Sequence, residues 1–515
     1  LEEGEKVSRS TLSTVIRNIV NIDPGIILIV TIIPLAVILT LLYTGDKSLW
    51  LDESISVAIA RLDWPTMWQV VSQGEANMGL YYILLHFWLN LGESEFVIRS
   101  LSAIFAVLTV PIIYTLGSRL FNKYIGLIAA LVVVVNTFFI RYAQEARSYS
   151  LVLFLISLSS LLFVMAIQRS SKRFWTAYVI VSALAVYAHV FAVFALIAQV
   201  LSLVLLRRQE IPWKALLIIG VSIIILITPL AYSILTNSTH NLDHQTVPNI
   251  SEIIDVFFRF TESGPLTAVY LLMGIVALIY AIKQWLVTRF SYETWRYALL
   301  LSWLFIPVVI VFCISQFKPM FSSLYLIVCL SPLVLLVGIG VYRLPRRWLL
   351  AIVLVAILGI SGAELHSWYI DFEKEDWRGA TTYIISEAHE QDAIIFYSPD
   401  VGTGFDYYWS RTPHNLILTP VPYFNPMEYK AINPVFDIPI GYVPGGNLPE
   451  PDGNLPFRLE KYERVWLVLS HDYIVNENMD RLSQSQMIQG LLQGKYGIPE
   501  EKDFKAIRVL LFSSS

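Results

Sequence analysis

Apolar runs long enough to cross a bilayer recur along the chain at Ile26–Tyr43, Arg99–Leu120, Tyr124–Ile140, Tyr149–Gln168, Phe174–Ala188 and Val190–Leu206. They continue at Trp213–Tyr232, Leu266–Trp285, Tyr297–Ser315, Ser322–Tyr342 and Trp348–Glu364. A hydrocarbon core of about 30 Å is crossed by about 20 helical residues. The pattern therefore predicts a polytopic α-helical membrane protein with about eleven transmembrane helices. Between the first two runs, Leu62 to Leu91 is too interrupted to cross. DWPTMWQVVSQ and NMGLYYILLHFWLNL read there as short interfacial helices rich in Trp and Tyr. SEIIDVFFRFTE, in the connection from Ile234 to Pro265, reads as another, with its apolar residues on one face.

After His366 the periodicity changes. Asp376–Glu387 has a helical pattern and Ala393–Tyr397 a strand pattern. GFDYYWS, NLILTPV, RVWLVLS, a helix near Gln484–Leu492 and FKAIRVLLF continue the alternation, which predicts a small α/β layer with a largely parallel sheet. PGGN and PEPDG, between Pro444 and Gly453, mark an exposed loop. Three parts result: a polar N-terminal segment (1–25), a transmembrane part (26–364) and a C-terminal α/β domain (365–515), long enough for its own core. The first part resembles a signal anchor that stays on the protein, since no small-residue cleavage site follows its apolar run.

Composition sharpens the class. The chain has 515 residues, 56% hydrophobic and only 15% charged, against about a quarter charged in soluble proteins. A net charge of −4 argues against nucleic acid as a partner. Cys313 and Cys329 both fall in apolar runs and read as inert, buried small hydrophobes. Lysine and arginine concentrate in alternate connections, such as Arg169/Lys172/Arg173 and Arg343/Arg346/Arg347, together with Lys6, Arg9 and Arg17. The positive-inside rule makes that side cytoplasmic, and places Asp52 and the C-terminal domain outside the cytoplasm.

Two polar stretches carry candidate chemistry. LWLDESISVAIARL sets Asp52 and Glu53 just outside the first span, behind an aromatic-aliphatic clip. A carboxylate there can act as general base on a hydroxyl. The same pair also reads as a helix N-cap followed by a first-turn glutamate. IRYAQEARSYS places Arg141, Glu145 and Arg147 at the outer end of a span, where ionisable groups pair or mark a pathway. Either an arginine grips a phosphate with its planar fork while Glu145 orients it, or the group is an interfacial ion pair. His189 breaks two spans at their outer turn, which suits an interfacial polar contact. His240, Asp243 and His244 have metal-like spacing but read as a solvated loop, and no DxD lies near Asp52. No cofactor is expected, and a divalent metal is not the favoured reading.

DES after the first span, EANMGLYYILLHFWL, EFVIRSLSAIFAVLTVPIIYTLGSRLF, RYAQEARSYS, YAHVFAVFALIAQ and EDWRGATTYI together resemble bacterial members of the GT-C glycosyltransferases. The group is that of the dolichyl-phosphate-mannose protein mannosyltransferases and the lipid A aminoarabinose transferase. The likeness covers most of the chain, loosely in the middle. It implies a GT-C-like fold in the bacterial inner membrane, a polyprenyl-phosphate-linked sugar donor, and inverting transfer on the extracytoplasmic face. It puts the catalytic acid at Asp52 with Glu53 beside it, and a donor-site position at Asn77, with Tyr81 in the same stretch. Relatives often carry His or Lys and then Pro-Pro where this chain has Asn77, Met78 and Gly79. They often carry Arg-Tyr where this chain has Leu324-Tyr325, and Lys318 is the cation placed to compensate.

The acceptor stays open among protein hydroxyls, a glycolipid and an isoprenoid alcohol, with membrane lipid around it. Two other classes compete: a lipid or sugar transporter, and a catalytically inactive scaffold with an external binding domain. No paired broken helices mark inverted halves, which argues against the transporter. The intact Asp52–Glu53 pair argues against the scaffold.

Overall fold

The computed structural model describes residues 23–169, 171–207, 211–237, 247–397, 401–423, 454–470 and 479–514. Each of the apolar runs is helical. Among the described residues eight helices are long and apolar enough to cross a membrane: Pro24–Leu41, Glu95–Leu120, Tyr149–Arg169, Trp213–Thr236, Gly264–Thr288, Tyr292–Ser315, Tyr325–Tyr342 and Arg347–Asp371. Lys172–Ala188 and Ala192–Leu205 are shorter. The Tyr325–Tyr342 stretch lies at the centre, 89% buried, whereas only 11% of Trp213–Thr236 is covered by protein. Leu217, Ile225 and Val355 are largely exposed on such outer faces. Apolar area of that extent is stable only against lipid, so the chain is an integral membrane protein.

The run expected as one span at Tyr124–Ile140 is two helices, Lys123–Val134 and Thr137–Ala143, bent by 63°. Asn136 is the cause. Its Oδ1 accepts from Phe139 N–H at 2.9 Å and starts the second helix, while its Nδ2 donates to Phe260 O at 2.7 Å. The first helix packs very closely on Glu95–Leu120: a Cβ at Gly126 would lie 2.3 Å from Tyr114 O. Only glycine allows that approach. Close packing on one side and the bend on the other bring the segment 144–148 over the end of the first span.

Cys329 is buried as expected, but Cys313 is exposed on the outer face of Tyr292–Ser315, where an apolar run meets lipid rather than core. The interrupted region between the first two spans forms helices Trp64–Val70 and Gly79–Trp88, and Ser251–Arg259 is helical as well.

Beyond His366 the helix runs on through a wider turn, Ser367–Asp371, and the chain leads to helix Trp377–Glu387 and, among the described residues, a five-stranded sheet. The strands are β1 (Ala393–Phe396), β2 (Thr419–Pro420), β3 (Arg464–Ser470), β4 (Glu500–Phe504) and β5 (Ile507–Ser513), in the order β2-β1-β3-β5-β4. The sheet is mixed rather than largely parallel. β1 is parallel to β2 and β3, but β5 runs antiparallel to both β3 and β4. Only Lys505 and Ala506 separate β4 from β5, and a two-residue link can join only antiparallel strands. GFDYYWS is a helix, Gly402–Trp409, and it lies against the membrane part. The Pro444–Gly453 loop, the N-terminal basic residues and the His240–His244 group lie outside the described residues.

Candidate active site

Helix Leu51–Arg61 starts at the N-cap residue Trp50, so Asp52 and Glu53 both sit in its first turn. Neither is the N-cap. Successive helical side chains diverge by about 100°, and the two acids part company. Glu53 turns inward and is fully buried, whereas the Asp52 side chain is 40% exposed.

Glu53 is the hub of a buried ion cluster. Arg99 grips it bidentately, Nε to Oε1 at 2.8 Å and Nη2 to Oε2 at 2.7 Å. The remaining Arg99 donors go to Thr44 O, Lys47 O and Ser48 O, each at 2.8 Å. All five guanidinium N–H groups are thus used. Lys374 Nζ donates to Glu53 Oε2 at 3.0 Å and Ala146 N–H to Oε1 at 2.9 Å. Burial pushes the Glu53 carboxyl up, but Arg99 and then Lys374 outweigh it and hold the group at about 2. With both oxygens engaged, Glu53 is closed in by its partners, whereas Asp52 beside it stays partly open.

Asp52 faces Arg147. Oδ2 lies 3.7 Å from Nη2, an ion pair too long for a hydrogen bond, and Nη1 donates to Ser56 Oγ at 3.5 Å. Arg147 Nε is buried without a hydrogen-bond partner. Burial works against the Arg147 charge, but Asp52, Tyr149, Tyr82 and Glu75 hold it firmly protonated. Tyr82 in turn donates to Glu75 Oε2 at 2.8 Å. Here, then, a half-exposed carboxylate and a guanidinium with free donor capacity share one wall.

The other expected site residues divide between support and distance. Tyr81 is fully buried, its hydroxyl 2.9 Å from Ser102 Oγ, which donates to Arg147 O at 3.2 Å. It steadies the Arg147 backbone rather than lining an opening. Asn77 Oδ1 accepts from Val190 N–H at 2.9 Å, and its Nδ2 lies 3.4 Å from His189 Nε2. The amide therefore ties down the turn at His189, in place of the cation relatives often carry. His189 itself is buried against Tyr325, with ring centroids 5.2 Å apart. Burial, and then Arg147, pull its pKa down to about 3, so it is neutral and adds no positive charge.

Arg141 does not join Arg147. It pairs with Glu262 at 3.2 Å and Glu145 at 3.8 Å and stacks on Trp368 and Phe372. Among the described residues no hydrogen bond or ion pair links it to Asp52. Glu145 is buried with Oε2 lacking a hydrogen bond. Burial raises its carboxyl to about 7, although Lys374 and Arg141 oppose this. Lys318 is exposed in the turn after Tyr292–Ser315, and its side chain makes no hydrogen bond or ion pair among the described residues. It is not brought to the Asp52 wall.

The residues missed from the sequence are Arg99, Lys374, Glu375, Glu75 and Tyr82. Arg99 had one available signal, an arginine inside an apolar span, which must find a partner. Among the described residues no three His, Cys, Asp or Glu side chains come together as a metal ligand set.

The chain matches the crystal structure of ArnT from Cupriavidus metallidurans in the apo state with a TM-score of 0.63 and 11% identity, over 94% of this chain and 97% of that one. ArnT from the same organism bound to undecaprenyl phosphate matches with a TM-score of 0.62 and 12% identity, over the same shares. The Archaeoglobus fulgidus oligosaccharyltransferase tethered with an acceptor peptide containing the NVT sequon matches at 0.51 and 12% identity, over 94% of this chain and 74% of that one. Residues 76–232 match the family model of dolichyl-phosphate-mannose-protein mannosyltransferase. No curated protein matches by sequence. The chain has the fold of ArnT, and its resemblance to the GT-C glycosyltransferases holds in both sequence and structure.

Proposed function

We propose that this chain is an inverting glycosyltransferase that moves a sugar from a polyprenyl-phosphate-linked donor to an acceptor hydroxyl at the extracytoplasmic membrane face. The observation that carries the reading is the half-exposed Asp52 carboxylate set 3.7 Å from Arg147, whose Nε has no hydrogen bond. The likeness to ArnT, solved with undecaprenyl phosphate, supports the donor class.

In this reading Asp52 takes the acceptor proton as the acceptor oxygen forms its bond to the anomeric carbon. The bond from that carbon to the phosphate oxygen breaks, and its electron pair leaves with the prenyl phosphate. Arg147 stabilises the charge growing on that phosphate in a partly dry site. One displacement inverts the anomeric centre. Glu53 takes no proton, because its lone pairs are already committed to Arg99, Lys374 and Ala146. A divalent ion has no required part in this scheme.

The test is transfer of label from undecaprenyl-phosphate-linked [14C]hexoses and pentoses to glycolipid, protein or isoprenoid-alcohol fractions by the purified chain. Label that stays on the prenyl phosphate with every donor points to a transporter or scaffold instead. Within that assay Arg147→Lys keeps a charge but loses the planar fork. We expect kcat/KM for the donor to fall by about tenfold, shared between a higher KM and a lower kcat, the size of one charge-assisted hydrogen bond of about 1.5 kcal/mol. Normal kinetics in that variant would leave Arg147 as an interfacial anchor only.

The orientation has its own check. With a cytoplasmic N-terminus, as the lysine and arginine asymmetry indicates, protease added to intact spheroplasts trims the domain beyond residue 365. Cleavage only after the membrane is opened would reverse the orientation.

A further inference from the structure

Helix Leu51–Arg61 carries Asp52, and its local capping is slight: Trp50 N–H donates to Glu53 Oε2 at the long distance of 3.4 Å. The first N–H groups of a helix lack intrahelical partners, and Ser, Thr, Asp or Asn at the N-cap commonly satisfies one. Here the N-cap is Trp50, which offers no side-chain acceptor. The acceptors come instead from beyond the last membrane span. Leu51 N–H donates to Glu375 Oε2 at 2.9 Å, and Leu49 N–H to Tyr408 Oη at 2.8 Å.

Glu375 is itself fixed. The same Oε2 accepts from Trp377 Nε1 at 2.8 Å, and Trp377 is fully buried. Its ring lies so close to the Gly402–Trp409 helix that a Cβ at Gly404 would be 2.6 Å from it. That helix also carries Tyr408. The adjacent Lys374 holds Glu53 at 3.0 Å. Consecutive linker residues thus grip the residues on either side of Asp52, Glu375 on Leu51 and Lys374 on Glu53, while Asp52 is left open toward Arg147.

We propose that the linker at Lys374–Glu375, seated on the C-terminal domain, is the positioning element for the Asp52 carboxylate, so that this domain is part of the catalytic unit rather than a separable binding module. The inference rests on the reading of Asp52 as the base. A carboxylate must be aimed to a fraction of an ångström to accept a proton from a bound hydroxyl, and a displacement of about 1 Å can cost about 100-fold. Glu375 touches no reacting atom. Its effect passes through the start of the helix.

The experiment compares Glu375→Ala and Glu375→Gln with the wild-type full-length chain in detergent. Glu375→Ala removes both acceptor bonds. We expect kcat to fall by about 10- to 100-fold, with donor KM and the Kd for undecaprenyl phosphate within about twofold of wild type. Glu375→Gln keeps an oxygen that can accept from Leu51 and Trp377, and should restore kcat to within a few-fold. A wild-type kcat in Glu375→Ala, a loss that falls on donor KM, or a Gln variant as slow as the Ala variant would each overturn the proposal. If Glu375→Ala does not give folded protein, Tyr408→Phe removes the acceptor of Leu49 N–H, along with the Tyr408 hydroxyl's contacts to Ser48 Oγ and Glu95 Oε1. It should slow kcat several-fold at constant KM, and a wild-type kcat there also overturns the proposal. Hydrogen exchange separates this inference from the functional reading. If the wild-type chain transfers no sugar, the reading of Asp52 fails, yet Glu375→Ala must still speed exchange of the Leu49 to Glu53 amides. Unchanged protection would sink the positioning role by itself.

Discussion

Asp52→Asn is expected to fold, to bind undecaprenyl phosphate as the wild type does, and to lose turnover by about 10²- to 10⁴-fold, the usual worth of a positioned general base. Folding should be retained because the side chain is 40% exposed and its ion-pair partner is Arg147 at the long distance of 3.7 Å. Asparagine has the same shape and keeps an oxygen toward Arg147, but it cannot accept the acceptor proton. An N-cap role would give the opposite result, since Asn and Asp cap a helix almost equally well. The geometry already disfavours that role, because the helix begins one residue earlier and Trp50 holds the N-cap position. Single-turnover transfer from the labelled donor, set beside the melting profile of each protein, decides the matter. Wild-type turnover in a well-folded Asp52→Asn would remove Asp52 from the chemistry.

Most of the long apolar helices, the short helices between the first two and the change of character after His366 were legible, because hydropathy and periodicity are local properties, whereas the bend inside Tyr124–Ile140 was not. The DES and RYAQEARSYS stretches meet in the structure, through Asp52 and Arg147. What the sequence could not divide was the adjacent pair Asp52–Glu53. Which one turns inward depends on Arg99, 46 residues later, and Lys374, 321 residues later. Spacing along the chain carries no trace of such contacts. For the same reason Arg141 and Arg147 read as equivalent forks. In the structure the bend at Asn136 commits Arg141 to Glu262 and Trp368, and leaves Arg147 with Asp52. Lys318, chosen to replace a missing cation, fails because proximity to an apolar run says nothing about which surface a turn faces. The cap on the Asp52 helix was the least readable feature, since Glu375 sits in a linker with no pattern of its own.

Glu53→Gln is expected to be the most damaging of these substitutions to the fold, although it leaves the base in place. Removing one partner of a buried ion pair typically costs about 3–5 kcal/mol, because the charge left behind stays buried without compensation. Two cations depend on Glu53, and they differ in how they respond. Burial already pushes the Lys374 ammonium down, against the pull of Glu53, so without that carboxylate it can shed its proton. Arg99 has no such escape. The cost therefore concentrates on a guanidinium that is 1% exposed and anchored to three backbone carbonyls. The pH dependence follows from the same cluster. Glu53 is held at about 2 in the folded chain, against an ordinary 4.5, so its contribution is complete above about 4.5 and lost as the pH falls through about 2. The unfolding midpoint of detergent-purified Glu53→Gln should be lower than that of Asp52→Asn at neutral pH, with the difference narrowing in acid. Combining Glu53→Gln with Arg99→Gln should recover part of the loss, since the second change removes the stranded charge, whereas independent sites would simply add. A Glu53→Gln chain that melts with the wild type, or strict additivity in the double variant, would show that something other than this cluster holds the Asp52 helix against the first span.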